Sequence, residues 1–364
     1  MRNTRIAIFL TMLILIGIGM VMIYSTSSIT MWQQTGESTG LLARQFLYFL
    51  VGFVFMFIAM AIDYYQLRRF ARVLLYIAIV PLVVVLIPHV AREVGGAKRW
   101  LSFFGLNYQP SEFVKIALMI YMADFINRKA DVLKDFWRGF VPPVLVLCFV
   151  MLLVLAQPDL GTAISLVVLV FTMLFVSGAR FVHLFSSVLA SLPFLYLLIF
   201  RVPYRRARIM AFLNPWLDPK GSGFQIIQSQ IALGSGGLWG VGLGAGKQKL
   251  FYLPAAHTDF IFSIIGEELG LFGVACVILL FIFLIWKMWQ VICAIGEPFG
   301  KLICIGVAVL IAFSAAVNIG VSIGCLPTKG LPLPFISYGG SSLIFHMVVI
   351  GLFLNVSRTD ELVS

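Results

Sequence analysis

Charge is what this sequence has least of. Only 11% of its 364 residues are Asp, Glu, Lys or Arg and 61% are hydrophobic, against about 25% and about 45–50% in soluble domains. That scarcity excludes a chain whose whole surface is solvated. Acidic residues are the rarer charges, 15 against 26 basic ones, so each carboxylate asks for a reason. The five cysteines (Cys148, Cys276, Cys293, Cys304, Cys325) lie scattered, mostly in apolar stretches. No paired spacing suggests a disulfide framework or a zinc site, and packing explains them. The formal charge of +11 is not a nucleic-acid signal in such a chain, because lysine and arginine set membrane topology.

Long apolar runs are abundant. Several exceed about 18 residues, the length that crosses a bilayer as a helix. The pattern predicts an all-α polytopic membrane protein with ten transmembrane helices, near 6–24, 45–62, 73–91, 112–127, 141–157, 160–177, 182–200, 260–287, 302–325 and 335–356. The first run follows Arg2 and Arg5, as in a signal peptide, but it is too long and no cleavage site follows closely. It reads as a retained span. Gln157-Pro158-Asp159 alone separates two of the runs, which predicts a tight helical hairpin. Basic residues in short loops set the orientation. Arg68, Arg69, Arg72, Arg128, Lys129, Lys134 and Arg138 fall on the side of the N-terminus, and Arg44, Arg92, Lys98, Arg99 and Lys329 on the other. The expectation is N-in and C-in, one membrane domain over 1–364, with 201–259 as a large extracytoplasmic loop between helices 7 and 8.

That loop is too long to be a mere connection and too rich in apolar residues to be disordered. It opens with Tyr204, Arg205, Arg206 and Arg208. Arginine forks suit phosphate oxygens, and a lipid-linked phosphate is the natural ligand at an outer membrane surface; snorkelling to lipid head groups is the alternative. The glycine-rich stretch 234–246 is not a P-loop. Val241 stands at the first required glycine and Gln248 where Ser or Thr is needed, so a close-packed or re-entrant loop is the better reading. The loop ends in His257-Thr258-Asp259 before a long apolar helix. Asp259 could serve as a general base or cap that helix. His257 is the weaker base. Glu267 and Glu268 lie inside the helix, where charge is costly in lipid, so at least one must face protein or water. Two further outward elements are polar: Lys98-Arg99-Trp100 with Gln109 to Lys115, where Glu112 and Lys115 share a helix face, and the proline-braced turn from Lys329 to Ser342. Three such elements on one side suggest a cavity.

The chain resembles the SEDS family (shape, elongation, division and sporulation) of peptidoglycan polymerases over nearly its whole length. The resemblance rests on Gly96-Ala-Lys-Arg-Trp100, Gln109-Pro-Ser-Glu112, Gln157-Pro-Asp-Leu-Gly-Thr162, Tyr204-Arg-Arg-Ala-Arg208, Asn214-Pro215, His257-Thr-Asp-Phe-Ile-Phe262, Glu267-Glu268 and Ile336-Ser-Tyr-Gly-Gly340. The Gln248 to Tyr252 lead-in and the Leu331-Pro-Leu-Pro334 turn look more like the division and sporulation branch than the elongation branch. Some relatives carry a basic residue just before Gln109, where this chain has Asn107-Tyr108.

The resemblance implies a glycosyltransferase that polymerises lipid II at the outer face of the bacterial cytoplasmic membrane. Its implied partners are a class B penicillin-binding protein, other division or elongation proteins and membrane lipids, with no nucleic acid. Asp259 matches the family's essential loop aspartate, and Lys115 and Lys329 match basic residues associated with activity. Arg205, Arg206, Arg208, Glu112, Trp100, Lys98, His257 and Lys249 complete the expected substrate-binding set. No cofactor is certain; a divalent cation, Mg2+ or Mn2+, at the pyrophosphate is left open, although no compact carboxylate cluster is visible to hold one. The rival readings are a lipid II flippase and a noncatalytic scaffold for a transpeptidase.

Overall fold

The computed structural model describes the backbone of residues 1–94, 97–103, 106–250 and 252–363, and the side chains there except those of 30, 34–35, 92–94, 97–98, 103, 106 and 359–363. Helices dominate: α1 (Arg2–Thr35), α2 (Gly40–Ala61), α3 (Tyr64–Val84), α4 (Pro110–Arg128), α5 (Val141–Ala156), α6 (Leu160–Val176), α7 (Phe181–Phe200), α8 (Pro203–Leu213), α9 (Phe224–Ser235), α10 (Ile261–Ala294), α11 (Pro298–Ser322) and α12 (Gly340–Val363). Their starts follow local chemistry. Asp63 caps α3 by accepting the Tyr65 N–H, Asp159 caps α6 by accepting that of Thr162, and Glu297 caps α11; each satisfies an orphan donor of a first turn. Pro110 and Pro298 sit in first turns, where no amide hydrogen is needed.

Among the described residues, seven helical segments are long and apolar enough to cross a membrane: Arg2–Gln33, Gly40–Ala61, Phe136–Ala156, Phe181–Phe200, Ile261–Ala294, Pro298–Ser322 and Gly340–Arg358. Together they make this a helical membrane protein. Helix α6 is apolar but shorter. Helices α3 and α4 stand where two further spans were expected, and they carry Arg68, Arg69 and Arg72, and Glu112, Lys115, Asp124 and Arg128. Outward faces are apolar, as at Val54, Tyr76, Phe194 and Leu279, which a lipid surrounding permits.

Two features depart from the all-α expectation. Residues before α4 form a small antiparallel sheet, β1 (Arg92–Val94), β2 (Ala97–Phe103) and β3 (Leu106–Tyr108), in the order β1-β2-β3. Two closely spaced hairpins satisfy this polar stretch with local backbone pairing, which a search for apolar helical runs does not register. The span 201–259 is no plain loop either, because it contains α8, a 3-10 turn at Pro215–Leu217 and α9.

The core lies where α4, α11 and α12 meet, and α12 is buried along most of its length. It runs beside α2 at very close range. A Cβ on Gly52 would stand 2.8 Å from Met347 Sδ, and one on Gly351 2.5 Å from the Met56 carbonyl; small residues allow such approaches between membrane helices. Helix α7 is the opposite case, with Leu184 its one buried residue. Helix α10 is broken at Gly270, whose φ of 65° and ψ of −162° are not helical.

Candidate active site

The break in α10 explains the glycine-rich stretch. Val241 and Gly242 donate to the Glu267 and Glu268 carbonyls, while Leu271 and Phe272 donate to those of Gly237 and Leu238. The loop's backbone thus takes up hydrogen bonds that a continuous helix would make, as apolar surroundings require. The two carboxylates fasten the same loop. Glu267 accepts the N–H groups of Lys247 and Gln248, and Glu268 accepts that of Gly244. Lys249 completes the arrangement in a sealed ion pair with Glu268, Nζ to Oε1 2.6 Å, and also donates to Ser25 of α1. Lys249, expected at the substrate, is therefore bound into this support; its ammonium could not be buried without a carboxylate partner.

The rigid loop leads to residues 257–259, which are stapled to the turn before α12. Asn318 of α11 donates to the carbonyls of Asp259, at 3.0 Å, and Leu331, at 2.9 Å. Ser337 donates to the Thr258 carbonyl at 2.6 Å, and Tyr338 N–H to that of His257 at 2.9 Å. Asp259 is held by its backbone while its side chain is left for other work. It does not cap α10: Phe260 occupies that position, and no side chain makes a capping bond there. Its Oδ2 lies 3.5 Å from where a Cβ on Gly330 would stand. Burial pushes the Asp259 carboxyl up to about 6, against the lowering influence of Arg208 and Arg99. Burial also lowers the His257 and Lys329 pKa values, and the His257 ring meets Tyr338 edge-on at 5.7 Å.

Beside Asp259 is a cavity of about 60 Å³ lined by four separate parts of the chain. Strand β2 supplies Arg99, the 158–161 turn Asp159, α8 Tyr204, Arg205 and Arg208, and the last turn Lys329 and Gly330. Arg205 and Arg208 flank the Tyr204 ring at 5.5 and 5.8 Å, and Arg205 also donates to the Leu198 carbonyl at 3.1 Å. Arg99 meets Asp159 at 3.3 Å. Below the cavity an apolar groove of about 240 Å³ runs between α5, α6 and the loosely packed α7. Leu160 lines both spaces.

Of the residues expected at the site, Asp259, Lys329, Arg205 and Arg208 converge here. Arg206 is exposed and off the cavity lining, and Trp100 is half-buried on β2. The Lys98 side chain lies outside the described residues. Glu112 and Lys115 form a buried pair at 2.8 Å inside α4, also off the lining. Arg99 and Asp159 were not among the expected substrate-binding residues, although each lies in a motif that carries the family resemblance. Nothing in the sequence pairs one charged residue before α4 with another in a short turn between helices, and only the fold brings them together. Among the described residues no group of three or more His, Cys, Asp or Glu could hold a metal ion. The cavity's charged side chains are cations except for Asp159, a set that does not fit a protein-held metal.

Residues 5–362 match the FTSW_RODA_SPOVE family of cell cycle proteins. The chain is 46% identical over 352 residues to the probable peptidoglycan glycosyltransferase FtsW of Trichlorobacter lovleyi, covering 97% of this chain and 92% of that protein. To the stage V sporulation protein E of Bacillus subtilis it is 42% identical over 348 residues, 95% and 94% of the two chains. Among solved structures it superposes on a chain from a peptidoglycan synthase complex, in a study of the coordination of polymerization and crosslinking, with a TM-score of 0.80, 31% identity and 96% of each chain covered. The rod shape determining protein RodA of Thermus thermophilus gives 0.69 at 28% identity, over 96% of this chain and 95% of that one. The greater identity to the division and sporulation relatives agrees with the branch expected from the sequence. With several of its motifs meeting at one cavity and the match running almost end to end, this chain belongs to the FTSW_RODA_SPOVE family, on its division and sporulation side.

Proposed function

We propose that the chain is a peptidoglycan glycosyltransferase that polymerises lipid II, with Asp259 as its general base. One observation carries the assignment of the base: a carboxyl raised to about 6 by burial, free of any capping role, beside a cavity of cations. Such a group is ionised at neutral pH and so able to accept a proton, and its raised pKa makes it a stronger base than an ordinary carboxylate. The acceptor sugar's 4-hydroxyl attacks the anomeric carbon of the lipid-linked glycan. The O–C bond forms as the bond to pyrophosphate breaks, the proton passes to Asp259, and undecaprenyl pyrophosphate leaves. Arg205, Arg208 and Lys329 stabilise the charge that develops on the leaving group. Glu112 and Lys115 support the site from within α4. The apolar groove between α6 and α7 takes a polyprenyl tail.

This chemistry fits ten spans with both termini inside, the 201–259 segment outside, and the whole chain acting as one membrane unit in the bacterial cytoplasmic membrane. A class B penicillin-binding protein is the expected partner, in keeping with the likeness to a peptidoglycan synthase complex. If a divalent cation takes part, its ligands come mainly from the substrate's phosphates. Incubation of the purified protein and partner with labelled lipid II tests the reading: wild type should yield glycan ladders and Asp259→Asn none. Wild type without ladders, but with lipid II translocation in vesicles, would replace this function by transport.

A further inference from the structure

Three ion pairs stand near this face of the molecule, and one differs from the others. Lys249–Glu268 and Lys115–Glu112 are tight, at 2.6 and 2.8 Å, and their side chains are at most 6% exposed. Arg99–Asp159 is longer, at 3.3 Å, and lopsided. Asp159 is 4% exposed, while the Arg99 side chain is 24% exposed and both residues line the cavity. A charge-assisted bond of good geometry is shorter, about 2.7–2.9 Å. The first two pairs are sealed supports; this one opens onto the space where substrate must sit.

The hydrogen bonding of the two partners is unequal as well. Asp159 is satisfied without Arg99. Its Oδ1 accepts the Thr162 N–H at 3.1 Å, and its Oδ2 accepts the Thr162 hydroxyl at 2.9 Å and Gln109 Nε2 at 3.3 Å. The guanidinium has donors to spare. Its Nε is buried with no acceptor among the described residues, although a guanidinium carries five N–H donors in a fixed fork. A buried donor left unpaired is costly, and a carboxylate that keeps three other donors can release its fourth cheaply. An arginine held on one loose bond, with its remaining donors beside a cavity of cations, is arranged to receive a second anion.

From this geometry we propose that Arg99 is a pyrophosphate ligand, resting on Asp159 when the cavity is empty and passing its fork to the phosphate oxygens when the substrate enters. The inference rests on the polymerase reading for the identity of the substrate, but its core is a phosphate site. Asp159 is the positioning residue. Anchored at the start of α6 through Thr162, it keeps the guanidinium at the cavity wall and away from the Asp259 carboxylate, with which Arg99 would otherwise pair. The exchange moves no covalent bond. It places a fork beside the charges of Arg205, Arg208 and Lys329, where planar two-point recognition of phosphate favours arginine.

The test uses full-length protein in detergent, with farnesyl pyrophosphate as probe and farnesol as control. Wild type, Arg99→Gln, Arg99→Lys and Asp159→Asn are compared at matched monodispersity and Tm. Wild type should bind the pyrophosphate and not the alcohol, and Arg99→Gln should weaken binding about tenfold or more, the loss of one charge-assisted contact. Asp159→Asn retains a capping side chain but removes the competing charge, so it should bind the probe at least as tightly as wild type. Arg99→Gln binding within twofold of wild type, or Asp159→Asn as weak as Arg99→Gln, would overturn the proposal. Should Arg99→Gln fail to fold, Arg99→Lys decides: a loss of several-fold supports the fork, and wild-type affinity refutes it. Lipid II polymerisation in the same preparations separates the two readings. Probe binding that depends on Arg99, without glycan synthesis, would remove the polymerase assignment alone. Glycan synthesis with an unchanged KM for lipid II in Arg99→Gln would remove this inference alone.

Discussion

Replacing Asp259 by asparagine should make the protein inactive and, near neutral pH, more stable. The carboxyl stands at about 6 in the folded chain against an ordinary 3.8, chiefly because burial disfavours its charge. A tenfold weakening of an acid corresponds to about 1.4 kcal/mol, which sets an upper bound of roughly 3 kcal/mol on the cost of ionising Asp259 in the fold; the residue is only partly shielded from solvent, which reduces the cost to about 1–2 kcal/mol. The sign follows from linkage. A raised acid costs the fold nothing below its unfolded pKa, and the penalty grows as pH rises from there to the folded value, above which it is complete. Asp259→Asn should therefore match wild type near pH 4 and exceed it at pH 7.5, with a higher Tm in detergent at the latter pH. Activity runs the other way. Losing a positioned base costs about 10²–10⁴-fold in rate, and the wild-type rate should climb through pH 6, reaching about a tenth of its plateau at pH 5 for a single group of that pKa. Initial rates of lipid II polymerisation between pH 5 and 8.5, with Tm across the same range, decide the matter. A variant that keeps its rate within threefold, or that is less stable than wild type at pH 7.5, would refute the assignment.

Other outcomes follow from the supports around the site. Lys249→Met leaves Glu268 buried without its cation and should cost about 3–5 kcal/mol, read as a large fall in Tm, with a Lys249→Met/Glu268→Gln double variant recovering part of it. Gly240→Ala places a Cβ 2.1 Å from the Glu268 carbonyl at a residue with φ of 82°; both clash and strain should lower yield and Tm, whereas Gly234→Ala, with open space around it, should be tolerated. Asn318→Leu removes the donors shared by the Asp259 and Leu331 carbonyls, costing about 1–3 kcal/mol. It should reduce kcat more than KM, because it moves the base relative to the last turn.

The sequence by itself determined the membrane class and the branch of the family, and it singled out Asp259 as a candidate. Apolar run length is a local property that any span must display, and a motif needs no tertiary contact to be recognised. Glu267 and Glu268 were also legible as charges needing partners, since lipid offers them none. What the sequence could not show was which partner each charge takes. Lys249 and Lys329 both look like substrate cations, yet the fold buries one on Glu268 and leaves the other at the cavity. Lys115 resembles them and is matched within its own helix. Asp259 read as a cap, a base or both until the backbone of α10 put Phe260 at the capping position. The small sheet escaped notice because its polar hairpins lack the apolar period that marks helices, and it is this sheet that carries Arg99 to Asp159 across about sixty residues of chain. Pairing of distant charges depends on helix packing, which local sequence does not encode; only the tertiary structure decided which carboxylate was left available for chemistry.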